Sequence, residues 1–308
     1  MRAAVYIPNF NGAARLGETL ASLREQSEPV EVVLVDNGSS DDSVALARRE
    51  FPEVTVLELG RNLGFGAAIN QAVRRHPAEL LILLNNDARA EPGFAAALLA
   101  AAEGAETVAG VLLQEREPGL IDSAGVVADR TLMGFDYLHG EAAEAALSAP
   151  APLGPTGGAA LYRREAFEAV GGFDERIFLY YEDLDLALRM AAAGARCRLA
   201  GDARALHAYS ASLGAASARK YSFTGWSRGY MLRRYGVMSH PGLALRALAC
   251  EGAICAGQLL RDRTGQGLAG RLRGWRDGRG LEPRDVDGAS LLQITAREAL
   301  ERRRRRRD

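Results

Sequence analysis

Glu79–Leu80–Leu81–Ile82–Leu83–Leu84–Asn85–Asn86–Asp87 is the stretch on which the fold turns. Five aliphatic residues run without interruption into an amide–amide–carboxylate triplet. A continuous apolar run of this length, followed by turn residues, predicts a strand buried on both faces of a parallel sheet. In open α/β sheets the ligand sits beyond the carboxyl ends of the strands, which is where Asn85, Asn86 and Asp87 fall. Such an oxygen-rich triplet suits Mg²⁺ or Mn²⁺ and, through the ion, phosphate oxygens. A plainer reading is a turn that caps a helix beginning near Pro92.

Outward from this stretch, the same pattern repeats. Ala3–Ile7, Val30–Val35, Val54–Leu57 and Val108–Leu113 are strand-like runs, separated by helical spacings such as Leu16, Leu20 and Leu23. Alternation of this kind predicts an αβα sandwich with a mostly parallel sheet. Residues 115–155 are rich in Gly, Ala and Pro and lack a period, and are expected to cross the mouth of the site. Helices are expected at Arg164–Val170 and Glu182–Ala193, and strand-like runs at Cys197–Leu199 and Ala205–His207. The chain divides into a catalytic domain, 1–215 (halves 1–114 and 115–215), a helical region, 216–283, and an Arg-rich tail, 284–308, expected to lack order.

The chain has 308 residues, 48% hydrophobic and 25% charged, with a formal net charge of −1, so no global field draws it to nucleic acid. Arginine dominates the last third and ends in Arg302–Arg307, which reads either as a solvated tail or as a contact with anionic headgroups. Three cysteines without a CxxC spacing suit a reducing compartment. Met1 leads straight into a strand-like run, so no signal peptide is expected. Leu243–Leu260 is apolar but interrupted by Arg246, Glu251 and Gln258, which predicts an interfacial or buried helix rather than a spanning one.

Four constellations carry chemistry. Asp36 ends the second strand, where a carboxylate can accept from a base or ribose, or merely close an Asx turn. Gly64–Phe65–Gly66 lacks the third glycine of a dinucleotide fingerprint (Ile69 stands there), but with Arg61 and Asn62 it forms a loop open to a diphosphate. In Tyr180–Tyr181–Glu182–Asp183–Leu184–Asp185, three acids crowd a helix N-terminus behind two aromatic residues. That is either capping or a carbohydrate floor with Asp183 as general base. His207 becomes a metal-ligand candidate because Asp87 needs a partner; His76, His139 and His240 have no comparable context.

VYIPNFNG, VLVDNGSSDDS, GRNLGFGAAIN, LLILLNNDA, TGGAALYRREAF, GGFDERIFLYYEDLDLALR and His207 with Ser212 appear in this order across about residues 3–235. Together they resemble the family 2 glycosyltransferases of the bacterial rhamnosyltransferase or galactofuranosyltransferase-like group. The resemblance implies a GT-A fold followed by C-terminal helices. It implies inverting transfer of a sugar, of hexosyltransferase type, from a dTDP- or UDP-sugar to a glycan or lipid-linked hydroxyl in cell-surface polysaccharide synthesis. Asp183 then matches the catalytic base, and Asp87 and His207 hold a divalent cation (Mg²⁺ or Mn²⁺). Donor binding falls to Pro8, Asn9, Asn11, Asp36, Arg61, Asn62, Gly66, Asn70, Asn85, Asn86, Gly157 and Gly158. Tyr180, Tyr181, Glu182 and Asp185 meet the acceptor. Asn85 replaces the first acid of the family's DxD motif, leaving Asp87 the only anion of the triplet. A cytoplasmic protein, peripheral on the inner face of the membrane through residues 240–280 and the terminal arginines, is the corresponding expectation. A sugar-1-phosphate nucleotidyltransferase would want a lysine-bearing glycine loop after the first strand, where Pro8–Asn9–Phe10–Asn11–Gly12 stands instead. Two competing functions are a nucleotide-sugar-binding or membrane-associated scaffold without catalysis, and an oxidoreductase, which the incomplete glycine fingerprint disfavours.

Overall fold

In a computed structural model, which describes residues 2–208 and 217–305, the chain starts as three strand–helix pairs. These are β1 (Ala3–Asn9) and α1 (Ala13–Arg24), β2 (Glu31–Asp36) and α2 (Ser43–Glu50), and β3 (Thr55–Glu58) and α3 (Phe65–Arg75). The run that decides the fold is β4 (Leu80–Leu84), and all five residues are buried. Leu80, Ile82 and Leu84 pack with Leu16 and Leu20 of α1 on one side of the sheet. Leu81 and Leu83 pack with Ile69 and Val73 of α3 on the other. Alternate side chains of a strand point to opposite faces, so a strand covered on both has no polar face to show.

A short strand, β5 (Ala88–Ala90), separates the Asn-Asn-Asp triplet from α4 (Phe94–Ala101), so the triplet does not cap that helix directly. β6 (Thr107–Gln114) follows. The excursion then carries more structure than its composition suggests: β7 (Ile121–Ser123), and a hairpin of β8 (Val126–Ala128) with β9 (Gly134–Asp136). β10 (Ala159–Arg163), α5 (Arg164–Ala169) and α6 (Glu182–Ala192) come next. The two predicted runs at 197–207 join in one strand, β11 (Cys197–His207), irregular between Leu199 and Arg204.

Among the described residues one nine-stranded sheet runs β3-β2-β1-β4-β10-β6-β11-β5, with β7 beside β6. It is mixed rather than mostly parallel, because β10 is antiparallel to both β4 and β6. The excursion stays at the carboxyl end of β6, so the strand that re-enters the sheet from there must run backwards.

The helical region comprises α7 (Ala218–Arg234), α8 (Pro241–Asp262), α9 (Gln266–Asp277) and α10 (Ala296–Arg305). α7 and α9 meet backbone to backbone: a Cβ on Gly229 would lie 2.0 Å from the Arg271 carbonyl oxygen, and one on Gly274 1.9 Å from that of Trp226. Arg228, fully buried in α7, donates to Glu251 of α8 at 2.7 Å and to the backbone carbonyl of Thr131. The stretch after α9 is not loose. Arg284 pairs with Asp174 at 2.8 Å and with Asp185, and the Leu292 amide donates to the Ala128 carbonyl at 2.8 Å. Tyr209, Ser210, Ser212, Arg306, Arg307 and the 215/216 boundary lie outside the described residues.

Candidate active site

The carboxyl ends of β1, β2, β4, β6 and β11 lie along one edge, joined there by the start of β10. Asn9 pairs with Asp36, Ala159 with Leu84, and His207 with both Gln114 and Ala88. At the β1–β2 side, Asn9 is buried and its amide donates to Asp36, Ser39 and Ser43. Asp36 also accepts the Gly38 and Ser39 amides at 3.2 and 3.1 Å, so it shapes its own turn. Asn11 accepts the Ser40 amide at 2.8 Å. The half-buried Pro8 sits in β1, and Arg61 is exposed. Asn37, which no motif singles out, holds the Arg61–Gly64 loop. It accepts the Leu63 amide and donates to the Gly64 carbonyl and to Asn62. Gly64 has φ +87° and would drive a Cβ to 2.4 Å from the Phe178 carbonyl, so glycine is required.

The triplet faces β11. Asn86 donates to Asn9 at 2.8 Å, and Asn85 Nδ2 lies 3.2 Å from His207 Nε2. Asp87 Oδ1 is 3.3 Å from the same nitrogen. On its far side, His207 Nδ1 meets Asp122 Oδ2 at 2.7 Å, and the Asp122 carbonyl meets His139 Nδ1 at 2.7 Å. Burial alone would push the imidazole down, but hydrogen bonds to Asp122 and Asp87 outweigh it and lift His207 to about 10. Neither Asp122 nor the link from His139 carries a signal in the sequence. A carboxylate behind a histidine, fixing which ring nitrogen faces forward, is the arrangement that supports a metal-ligating imidazole. The donor set fits a hard or borderline divalent cation, held by the Asp87 carboxylate and by His207 Nε2, where the ion would displace the proton that the two acids favour. Among the described residues no three His, Cys, Asp or Glu side chains converge into a closed site, so such an ion would keep positions open for substrate oxygens.

The second acidic centre begins with two strained residues. Tyr180 and Tyr181 adopt φ +68° and +72°, sparsely populated for non-glycine residues, at the start of α6. Lys220 lies 5.6 Å from the Tyr180 ring centre and Arg228 5.6 Å from that of Tyr181. Asp183 is half-buried, and its Oδ2 accepts from Thr156 Oγ1 and the Gly157 amide, both at 3.4 Å. The Gly158 carbonyl in turn accepts the Asn85 amide at 3.2 Å. Thr156–Gly157–Gly158 thus joins the two acidic centres in one short path. A Cβ on Gly158 would lie 2.8 Å from Asn85 Nδ2, and one on Gly157 2.8 Å from the Phe65 ring.

Four of the predicted contacts fall elsewhere. Asp185 is fully buried and engaged by Arg189, Arg284 and Tyr235, so it faces the helical region rather than an acceptor. Asn70 is buried and locked to the Phe173 backbone, donating at 2.9 Å and accepting at 3.0 Å. Gly66 packs on Phe173, where a Cβ would come within 2.6 Å of its Cβ. Glu182 is buried, and its Oε2 has no hydrogen-bond partner among the described residues. Burial, reinforced by the neighbouring Asp183, pushes Glu182 up to about 8, so it is neutral at pH 7. A carboxyl raised on folding contributes stability at low pH that is lost as pH rises from its ordinary value through the folded one. Glu182→Gln is expected to remove a loss of a few kcal/mol between about pH 5 and 8, at about 1.4 kcal/mol per unit. Thermal unfolding of the two proteins across that range measures it; parallel curves would show that Glu182 does not titrate there.

With this geometry in view, comparison with known proteins is informative. The profile of Glycosyl transferase family 2 matches residues 4–171, and that of Glycosyl transferase family group 2 matches residues 122–260. The chain is 32% identical over 211 residues to an N-acetylglucosaminyl-diphospho-decaprenol L-rhamnosyltransferase of Mycobacterium tuberculosis, covering 60% of this chain and 69% of that one. It is 33% identical over 195 residues to the O-antigen biosynthesis protein RfbC of Myxococcus xanthus, covering 59% of this chain but 15% of the relative. Among solved structures, the mannosyltransferase PcManGT of Pyrobaculum calidifontis, in complex with GDP-Man and Mn²⁺, superposes with a TM-score of 0.55 at 20% identity, covering 90% of this chain and 86% of that one. GalNAc-T7 with UDP, GalNAc and Mn²⁺ gives 0.62 at 14% identity, covering 92% and 55%. At these identities the structures speak to the fold, and the fold is GT-A.

Proposed function

The chain belongs to the family 2 glycosyltransferases, in the rhamnosyltransferase-like group, and on that premise we propose that it moves a sugar from a dTDP- or UDP-sugar to a hydroxyl of a lipid-linked or glycan acceptor. The observation that carries the reading is the Thr156–Gly158 segment, which ties Asp183 on one side to the Asn85–Asp87 triplet on the other. The segment thereby sets the proposed general base and the proposed diphosphate site at the two ends of three residues, as a reaction between an acceptor hydroxyl and a donor sugar requires. Similarity to the mycobacterial rhamnosyltransferase favours a rhamnose donor and an acceptor linked to a polyprenyl diphosphate. Similarity to RfbC and to the succinoglycan biosynthesis protein ExoA of Rhizobium meliloti favours a role in cell-surface polysaccharide synthesis.

Asp183 takes the proton of the acceptor hydroxyl as its oxygen attacks the anomeric carbon on the face opposite the diphosphate. The new glycosidic bond forms, the bond to diphosphate breaks, and the configuration inverts. Bound between Asp87 and His207 Nε2, a divalent cation would neutralise the leaving diphosphate. Asp122 holds the imidazole so that Nε2 faces Asp87. Tyr180 and Tyr181 offer apolar faces to the acceptor, and Asp36, Asn11 and the Arg61–Gly64 loop surround the nucleoside diphosphate. Uracil and thymine present the same imide N–H to Asp36.

Calorimetric binding of UDP, dTDP, GDP and NADH, each with and without Mn²⁺, tests the reading. Metal-dependent binding of one pyrimidine diphosphate is the expected result; binding of NADH alone would overturn it. Asp122→Asn is expected to weaken the Mn²⁺-dependent binding by about 10–100-fold, the usual cost of losing a carboxylate behind a ligating histidine. An unchanged Mn²⁺ dependence would show that Asp122 gives the cation site no support.

A further inference from the structure

The outer face of α8 is apolar from end to end. Its inner face, Ala247, Cys250, Glu251, Ile254 and Gln258, is buried at helical spacing. The residues opposite, Leu245, Leu248, Ala249, Gly252, Ala253, Ala256, Leu259 and Leu260, are exposed, and none is charged or polar. α9, which follows after a three-residue turn, adds exposed Leu268 and Leu272. These six leucines are each between 51% and 80% exposed. Water is a poor partner for a face of this length, about 33 Å along a helix of 22 residues.

The surroundings identify what covers it. Arg261, Arg263, Arg273, Arg276 and Arg279 are all exposed on and between the same two helices. At helical spacing Leu268, Leu272 and Arg276 run down one flank of α9, and Arg279 follows in the turn beyond its end. Of the exposed acids of this stretch, Asp262 accepts from the Tyr221 hydroxyl at 2.6 Å, while Asp277 accepts from the Trp226 indole at 2.9 Å and pairs with Arg276 at 3.1 Å, so five arginines face two acids and the rim stays net positive. A two-fold pairing of this face with a second copy would set the arginine rim against itself, whereas an anionic bilayer accepts both the leucines and the arginines. By length and composition α8 could cross a bilayer. Its inner face, however, carries Glu251, which pairs with both Arg228 and Arg271. Threading α8 across the bilayer would strip that buried pair, so the helix lies flat with its leucines in the headgroup–acyl boundary.

We propose that the exposed leucine face of α8 and α9, rimmed by Arg261, Arg263, Arg273, Arg276 and Arg279, is a docking surface for an anionic lipid bilayer. The inference stands apart from the transfer reaction, because it is tested by binding alone, with neither donor nor acceptor present. The full chain is sedimented with vesicles of phosphatidylcholine and with vesicles also containing phosphatidylglycerol, beside Leu248→Glu/Leu259→Glu and Arg273→Glu/Arg276→Glu variants. Stronger partition onto anionic vesicles, weakened by salt and reduced about tenfold or more by either pair, is expected. These positions are exposed, so unfolding temperature and nucleotide affinity should match the wild type, separating a failed membrane contact from a failed donor site. Equal partition of wild type and variants would overturn the proposal. So would a wild-type dimer in sedimentation velocity that the leucine pair dissociates, with no binding to vesicles of either composition.

Discussion

Asp183→Asn is expected to lower turnover by about 10²-fold or more while leaving nucleotide affinity and unfolding temperature near wild type. The amide is the same size and keeps an acceptor oxygen for the Leu184 amide, which Asp183 Oδ1 takes at 2.8 Å, so α6 keeps its start. What is lost is a basic oxygen beside the place where the acceptor hydroxyl must sit. The neighbouring Glu182 cannot take over, because its carboxyl is buried and held neutral at pH 7. Two adjacent acids thus sit in different environments, Glu182 buried and Asp183 half-buried. The measurement is steady-state transfer to a suitable acceptor beside calorimetry of the nucleotide diphosphate. Full turnover in the variant would place the base elsewhere, and a loss of nucleotide binding equal to the loss of rate would make Asp183 a binding residue.

Arg284→Ala is expected to destabilise the protein by about 3–5 kcal/mol, because it strands two buried carboxylates. Asp174 and Asp185 are both turned inward, and Arg284 is the cation they share. Asp185 keeps Arg189 at 2.8 Å, but Asp174 is left with Tyr230 and the more distant Arg176. Burial works to raise the Asp174 carboxyl. The Tyr230 hydroxyl, the Arg176 amide and Arg284 together reverse this and hold it below the ordinary value. A depressed carboxyl contributes stability above its unfolded value and loses it as pH falls through the folded one. The variant should therefore unfold at a higher pH on acid titration as well as at a lower temperature, by roughly 5–10 °C. Adding Asp174→Asn should recover part of the loss, since the two changes remove one interaction. Wild-type thermal and acid midpoints in Arg284→Ala would mean that the latch carries no weight.

The latch also shows where sequence reasoning stops. Arg284 meets its carboxylates across 99 and 110 residues, and no local pattern marks it among so many arginines. Composition alone places it at the head of a tail without order, and tertiary contact overrides composition. Asp122 escapes for the same reason: it meets His207 across 85 residues, inside a segment without a period. Asp183 and Asp185 differ differently. Two residues apart on a helix they point to nearly opposite sides, and only the packing of Leu184 and Leu188 on one flank and Leu186 on the other decides that Asp185 is sealed while Asp183 stays half-buried.

Local sequence alone determined most elements of the first 114 residues and the edge at which the polar motifs emerge. Five aliphatics in β4 need cover on both faces whatever surrounds them, and polar residues that follow a buried parallel strand emerge at its carboxyl end. Asp36 and Asp87 fall at the strand ends where that rule puts them, and Asp183 falls at the helix start that its motif marks. The reversed direction of β10, the inward turn of Asp185, and the pairing of His207 with Asp122 were decided only in the tertiary structure. Each depends on which distant segment arrives to bury or neutralise a group, and that is a property of packing rather than of neighbours along the chain.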